Sequence, residues 1–106
     1  MSSIIDDNSK IKYVTLTKPF EGFDINMSDN SASTGYANEL YYFSKNMLKF
    51  LGSKREFYKS HGIGSSSKLS FNFIPKKRGK SYIIFKHGRS WQPETINYTA
   101  YIILIE

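Results

Sequence analysis

The sequence predicts a single α+β domain, an antiparallel sheet in the order β-α-α-β-β-β with two helices packed on one face. Three observations carry this. The chain has 106 residues, of which 40% are hydrophobic and 16% aromatic, the composition of a folded globule. An apolar stripe with spacings of three and four runs through its middle. Its last third alternates apolar and polar residues, then turns continuously apolar. A chain of this length is one domain, 1–106, and can bury a core without disulfides or metal. It has no cysteine, so thiolate sites and disulfides are excluded.

In order, residues 1–9 are polar and read as a frayed end. Residues 11–17, Ile-Lys-Tyr-Val-Thr-Leu-Thr, are rich in β-branched and aromatic types and predict a strand that Pro19 ends. Residues 19–35 hold Gly22, Asp24, Asn26, Ser28, Asp29 and Gly35, which is the chemistry of a long loop. Tyr36, Leu40, Phe43, Met47, Phe50 and Leu51 then recur at helical spacing. Ser33 or Thr34 is placed to cap that helix and Gly52 to end it. Ser53-Lys54-Arg55-Glu56 fits a capping box for a short second helix. Leu69, Phe71 and Phe73 alternate with Lys68, Ser70 and Asn72, and residues 81–86 follow a turn at 75–79, which predicts a hairpin. Residues 96–105 complete the sheet as a central strand.

Charge is unevenly spread. Residues 1–42 carry six acids and three bases, whereas residues 43–106 carry twelve bases and three acids. The densest run is Lys76-Lys77-Arg78-Gly79-Lys80. An excess of this kind attracts polyanions. A basic hairpin can straddle phosphates, and aromatic rings beside it can stack on bases. The corresponding nucleic-acid-binding set is Lys68, Lys76, Lys77, Arg78, Lys80, Tyr82, Lys86, Arg89 and Trp91.

His61 and His87 are the two histidines. Imidazoles titrate near neutrality, so the pair, with cations from Lys68 and Arg89, has the residue types for metal-free RNA cleavage. The glycine- and serine-rich stretch 62–68 lacks the Gly-Lys-Ser/Thr ending of a Walker A motif and reads as a linker. Asp6-Asp7 and Asp24 with Asp29 do not have metal-loop spacing, so no metal and no cofactor is expected.

The stretch Gly88-Arg89-Ser90-Trp91-Gln92-Pro93-Glu94-Thr95-Ile96-Asn97-Tyr98-Thr99 resembles a segment of the barnase-type microbial ribonucleases. That family has Gly-Arg-Thr-Trp, a gap holding the general base, then Ile-Asn-Tyr-Thr, and places helices before an antiparallel sheet. The resemblance puts the base position on Pro93, with Glu94 one residue later. It adds Glu94 to His61 and His87 as a catalytic candidate.

The leading expectation is therefore a small nucleic-acid-binding protein, RNA ahead of DNA. The first alternative is a metal-independent endoribonuclease of toxin type. The second is a viral or regulatory inhibitor whose basic face docks on an acidic protein. Residues 1–7 lack the features of a signal peptide and residues 102–105 are too short to cross a bilayer, so the expected setting is cytoplasmic, in a host cell if viral, without a membrane partner.

Overall fold

The computed structural model describes residues 10–17, 21–29, 31–57 and 67–106. They form seven strands: β1 (Lys10–Leu16), β2 (Phe23–Asp29), β3 (Ala37–Phe43), β4 (Leu48–Phe57), β5 (Ser67–Pro75), β6 (Gly79–Gly88) and β7 (Asn97–Ile105). Two sheets result, one in the order β1-β7-β6-β3 and one in the order β2-β5-β4. β1 runs parallel to β7, and the other pairings are antiparallel. Helical geometry among the described residues is confined to one turn at Ser31–Thr34 and a 3-10 turn at Pro93–Thr95.

The sheets stack face to face. Ile25, Leu69, Phe71 and Phe73 of the three-stranded sheet meet Ile83, Phe85, Tyr101, Ile103 and Ile105 of the four-stranded one in a single core. The Phe71 and Phe85 rings approach to 4.8 Å between centroids across the interface. Each sheet has an apolar inner face, and burying one against the other makes a β-sandwich.

The predicted α+β class is thus corrected to an all-β sandwich, with no helix packed on a sheet. The helix expected from residue 36 is β3, a turn and the start of β4. Two β-bulges account for the misleading period. Tyr41 is an extra residue between Leu40, opposite Phe85, and Tyr42, opposite Ile84. Leu51 is an extra residue between Phe50, opposite Phe73, and Gly52, opposite Asn72. Each bulge lengthens a two-residue alternation to three, so Leu40 and Phe43 can both face the core. The turn closed by the Met47 and Leu48 amides on the Ser44 carbonyl supplies the remaining spacing. Together they imitate a helical stripe.

The supposed capping box lies in β4. Lys54 Nζ and Glu56 Oε1 stand 3.4 Å apart, as two-residue spacing on one strand face permits. β2 occupies part of the predicted loop. Phe23, Ile25 and Met27 turn inward, while Asp24, Asn26 and Ser28 stay exposed. This alternation is hidden by turn-forming residue types that are tolerated on an edge strand. β1, β5, β6 and β7 lie where the sequence placed them, within a few residues, but β5 and β6 belong to different sheets, so the expected hairpin is corrected to a turn that crosses from one sheet to the other.

The topology gathers loops at one end. Asp29 is opposite Ser67, and Ser67 is opposite Phe57. Ala37 is opposite Gly88, and His87 is opposite Asn97. β2 and β3 are joined there through residues 30–36, and β6 and β7 through residues 89–96. At the opposite end the Lys76 amide bonds the Met47 carbonyl and the Glu106 amide bonds the Leu16 carbonyl.

Candidate functional site

The two loops at the first end are built into one another. Their foundation is Asp29, whose residue is 2% exposed at the last position of β2. One carboxylate oxygen accepts from the Ser31 amide at 2.9 Å and from Arg55 Nη1 at 3.0 Å. The other accepts from the Asn38 amide and from Asn38 Nδ2, both at 3.3 Å. Burial alone would raise the pKa of this carboxyl. Hydrogen bonds from the Ser31 hydroxyl and amide, then Arg55 and the Asn38 amide, outweigh that and hold it far below the usual carboxylate range. Arg55 Nη1 also donates to Ser67 Oγ at 2.8 Å, and that hydroxyl donates to the Asp29 carbonyl at 3.0 Å. Asp29 therefore ties β2, β3, β4 and β5 into one unit.

Above this base the loops interlock. Gly35 closes the turn by donating its amide to the Ser31 carbonyl at 2.8 Å. Its φ of +78° suits glycine, and an added Cβ would lie 2.6 Å from Trp91 Cη2. Arg89, just past β6, donates from Nε to the Thr34 carbonyl at 2.8 Å and from Nη1 to Gln92 Oε1 at 2.9 Å. Its guanidinium lies 4.5 Å from the centroid of the Tyr36 ring. Tyr36 in turn stacks on His87 at 5.6 Å, and His87 Nδ1 is hydrogen-bonded to Asn38 Oδ1 at 2.9 Å. Thr95 braces the second loop: its hydroxyl accepts from the Arg89 amide at 2.9 Å and lies 2.7 Å from the Gln92 carbonyl. Gly88 makes the same join possible, since a Cβ there would meet the Ile96 Cα at 2.8 Å.

The arrangement leaves Trp91 at the tip, 67% exposed, with one edge of its ring against Gly35. A large aromatic ring held in water by a braced loop is suited to insertion into a partner's cleft. Among the described residues no group of three or more His, Asp or Glu side chains is placed to hold a metal ion.

The residues singled out from sequence do not gather. Lys76, Lys77 and Arg78 are in the exposed β5–β6 turn at the opposite end, where Lys76 Nζ donates to the Lys45 carbonyl at 3.0 Å. Lys80, Tyr82 and Lys86 alternate with the buried Ser81, Ile83 and Phe85 and so line the outer face of the four-stranded sheet. Lys68 lies on the outer face of the other sheet. Only Arg89 and Trp91 belong to the loop cluster. Of the catalytic candidates, His61 lies outside the described residues. His87 is engaged by Asn38 and Tyr36, and Glu94 is exposed on the 3-10 turn. No hydrogen bond joins His87 to Glu94 among the described residues.

Asp29, Thr34, Gly35, Tyr36 and Asn38 were not legible as a site. Gly35 followed by an aromatic residue is the one local signal, and it is common in ordinary turns.

No protein-family model matches the sequence, and no curated protein matches it. Solved structures do share the fold. The cysteine protease inhibitor EhICP2 from Entamoeba histolytica superposes with a TM-score of 0.69 at 20% identity, over 95% of this chain and 100% of that one. Amebosin gives 0.66 at 16% identity, over 92% and 96%. PbICP-C, solved in complex with falcipain-2, gives 0.64 at 19% identity, over 96% and 94%. This chain has the sandwich fold of these proteins. The nucleic-acid-binding expectation is corrected accordingly. EhICP2, which shares the fold, is a cysteine protease inhibitor, and among the described residues the candidate basic side chains are divided between the two outer faces and both ends of the sandwich.

Proposed function

We propose that this protein is a reversible inhibitor of cysteine proteases that docks through the loop end, with Trp91 as its anchor. One observation carries the reading: an exposed tryptophan on a loop locked by Arg89, Gly35 and Tyr36, at the end of a sandwich shared with EhICP2 and PbICP-C. Of the three expectations formed from sequence, the inhibitor is the one this supports.

The physical case rests on preorganisation. Binding orders side chains and loops, at roughly 0.5–1.5 kcal/mol for each immobilised flexible side chain. Here the ordering is done beforehand by hydrogen bonds within the free protein. The loops can enter a cleft with little rearrangement, cover the catalytic thiolate from substrate and resist being cleaved as an extended peptide would be. The inhibitor itself supplies no thiol, since the chain has no cysteine.

Steady-state inhibition of falcipain-2, with a serine protease and a metalloprotease as controls, tests the reading. The expected result is reversible inhibition of the cysteine enzyme alone, with the inhibitor intact by mass afterwards. Absence of inhibition across several cysteine proteases would remove it.

A further inference from the structure

The two outer faces of the sandwich differ in kind. On the three-stranded sheet most outward side chains are polar and several satisfy one another, with Leu51 and Phe57 of β4 as separate exposed apolar residues. Ser70 Oγ donates to Asn26 Oδ1 at 2.7 Å, Asn72 Nδ2 donates to Asp24 Oδ1, and Lys54 pairs with Glu56. That is a solvated sheet face.

The four-stranded sheet is otherwise. Its register sets Tyr82 beside Ile102 and Ile102 beside Tyr13 in one row, and Ile84 beside Tyr42 in the next. Tyr13 is 77% exposed, Tyr42 51%, Tyr82 42% and Leu104 41%. A depression of about 320 Å³ lies between Tyr13, Lys80, Ile102 and Leu104. Lys80 stands beside Leu104, and Lys86 stands between Tyr98 and Glu39; neither makes an ion pair within 4.0 Å among the described residues. Glu39 is the one acid on these four strands. Contiguous tyrosine and isoleucine with unpaired lysines marks a contact surface.

We propose that this sheet face is a second docking surface, for a partner protein that lays across it an extended segment alternating acidic and apolar side chains. The apolar side chains fill the troughs beside Ile102 and Ile84, and the acids reach Lys80 and Lys86. Charge decides the occupant. A second copy would bring Lys80 and Lys86 of each molecule, four lysines, against two glutamates, Glu39 of each, and leave the contact net positive. A bilayer is flat and would meet the tyrosine rims first, leaving the recessed isoleucines uncovered. The surface is separate from the loop end and does not depend on the inhibitory reading.

The test uses the full chain, labelled with nitrogen-15 and titrated with a short synthetic peptide alternating glutamate with leucine and tyrosine. Controls are the matched lysine peptide and phosphatidylserine vesicles. Amide shifts should cluster at Tyr13, Lys80, Tyr82 and Ile102. The double variant Lys80→Glu with Lys86→Glu should weaken binding by about tenfold or more while melting and protease inhibition stay unchanged. The proposal is overturned if no shifts occur, if they fall on residues 31–36 and 89–96, or if the lysine peptide binds equally. Vesicles that perturb the same amides without peptide binding, or sedimentation showing self-association through this face, would overturn it as well.

Discussion

Trp91 is held in water by the residues beneath it, and the side chains that hold it lead to separate measurements. At Gly35 a methyl group would meet the indole ring and would sit on a backbone at φ +78°. Gly35→Ala should therefore displace Trp91 and strain the turn by about 1–3 kcal/mol. Inhibition should fall while the core, read by tyrosine fluorescence anisotropy and hydrogen exchange of β5 to β7, stays native.

Asp29 gives a pH signature. Its folded pKa is depressed, so its stabilisation is present above the unfolded value near 3.8 and is lost as pH falls below that. Wild-type protein should lose melting temperature steadily as pH drops through the acid range. Asp29→Asn should be less stable at neutral pH and show a flatter acid limb; equal slopes for the two proteins would detach Asp29 from that role. Arg89 and Trp91 stood out in the sequence because cations and tryptophan are conspicuous. Asp29 and Asn38 did not, because a buried hydrogen-bond hub uses the same residue types as an ordinary loop.

At the scale of elements, the bulges at Tyr41 and Leu51 decided how much could be read. β5 and β7 were legible because their alternation is unbroken. Leu69, Phe71 and Phe73 point inward at every second position, and Tyr101, Ile103 and Ile105 do the same. β3 and β4 were not legible, since one inserted residue each converts the period of a strand into that of a helix. The aromatic run Tyr41-Tyr42-Phe43 favoured a strand all along. β2 was hidden for the opposite reason, because its outer residues, Asp24, Asn26 and Ser28, belong to turn chemistry. Deleting Leu51 should restore strict alternation in β4 while keeping residues 52–57 in their present register opposite β5. Arg55 should stay on Asp29, so the loop end should exchange amide protons no faster than it does in the parent protein; faster exchange there would show that the bulge itself supports the pair.

For the molecule as a whole, a single core between two sheets makes stability and binding separable. Phe73 is fully buried and touches Phe23, Phe43 and Phe50. Phe73→Ala should cost about 3–5 kcal/mol by chemical denaturation. The loop end lies beyond that core, so changes at its exposed tip should alter binding alone. The fold is common to proteins of known structure at 20% identity or less, which shows why the pattern of inward residues, more than their identity, specifies the sandwich.

The most direct measurement is the inhibition constant against a cysteine protease for three proteins: wild type, Trp91→Ala, and the triple variant Lys76→Ala, Lys77→Ala, Arg78→Ala at the opposite end. A central aromatic anchor is worth about 2 kcal/mol or more, so Trp91→Ala should raise the constant by roughly thirtyfold or more with melting unchanged. The triple variant should match wild type. Equal inhibition by wild type and Trp91→Ala, or loss in the triple variant instead, would contradict docking through the loop end.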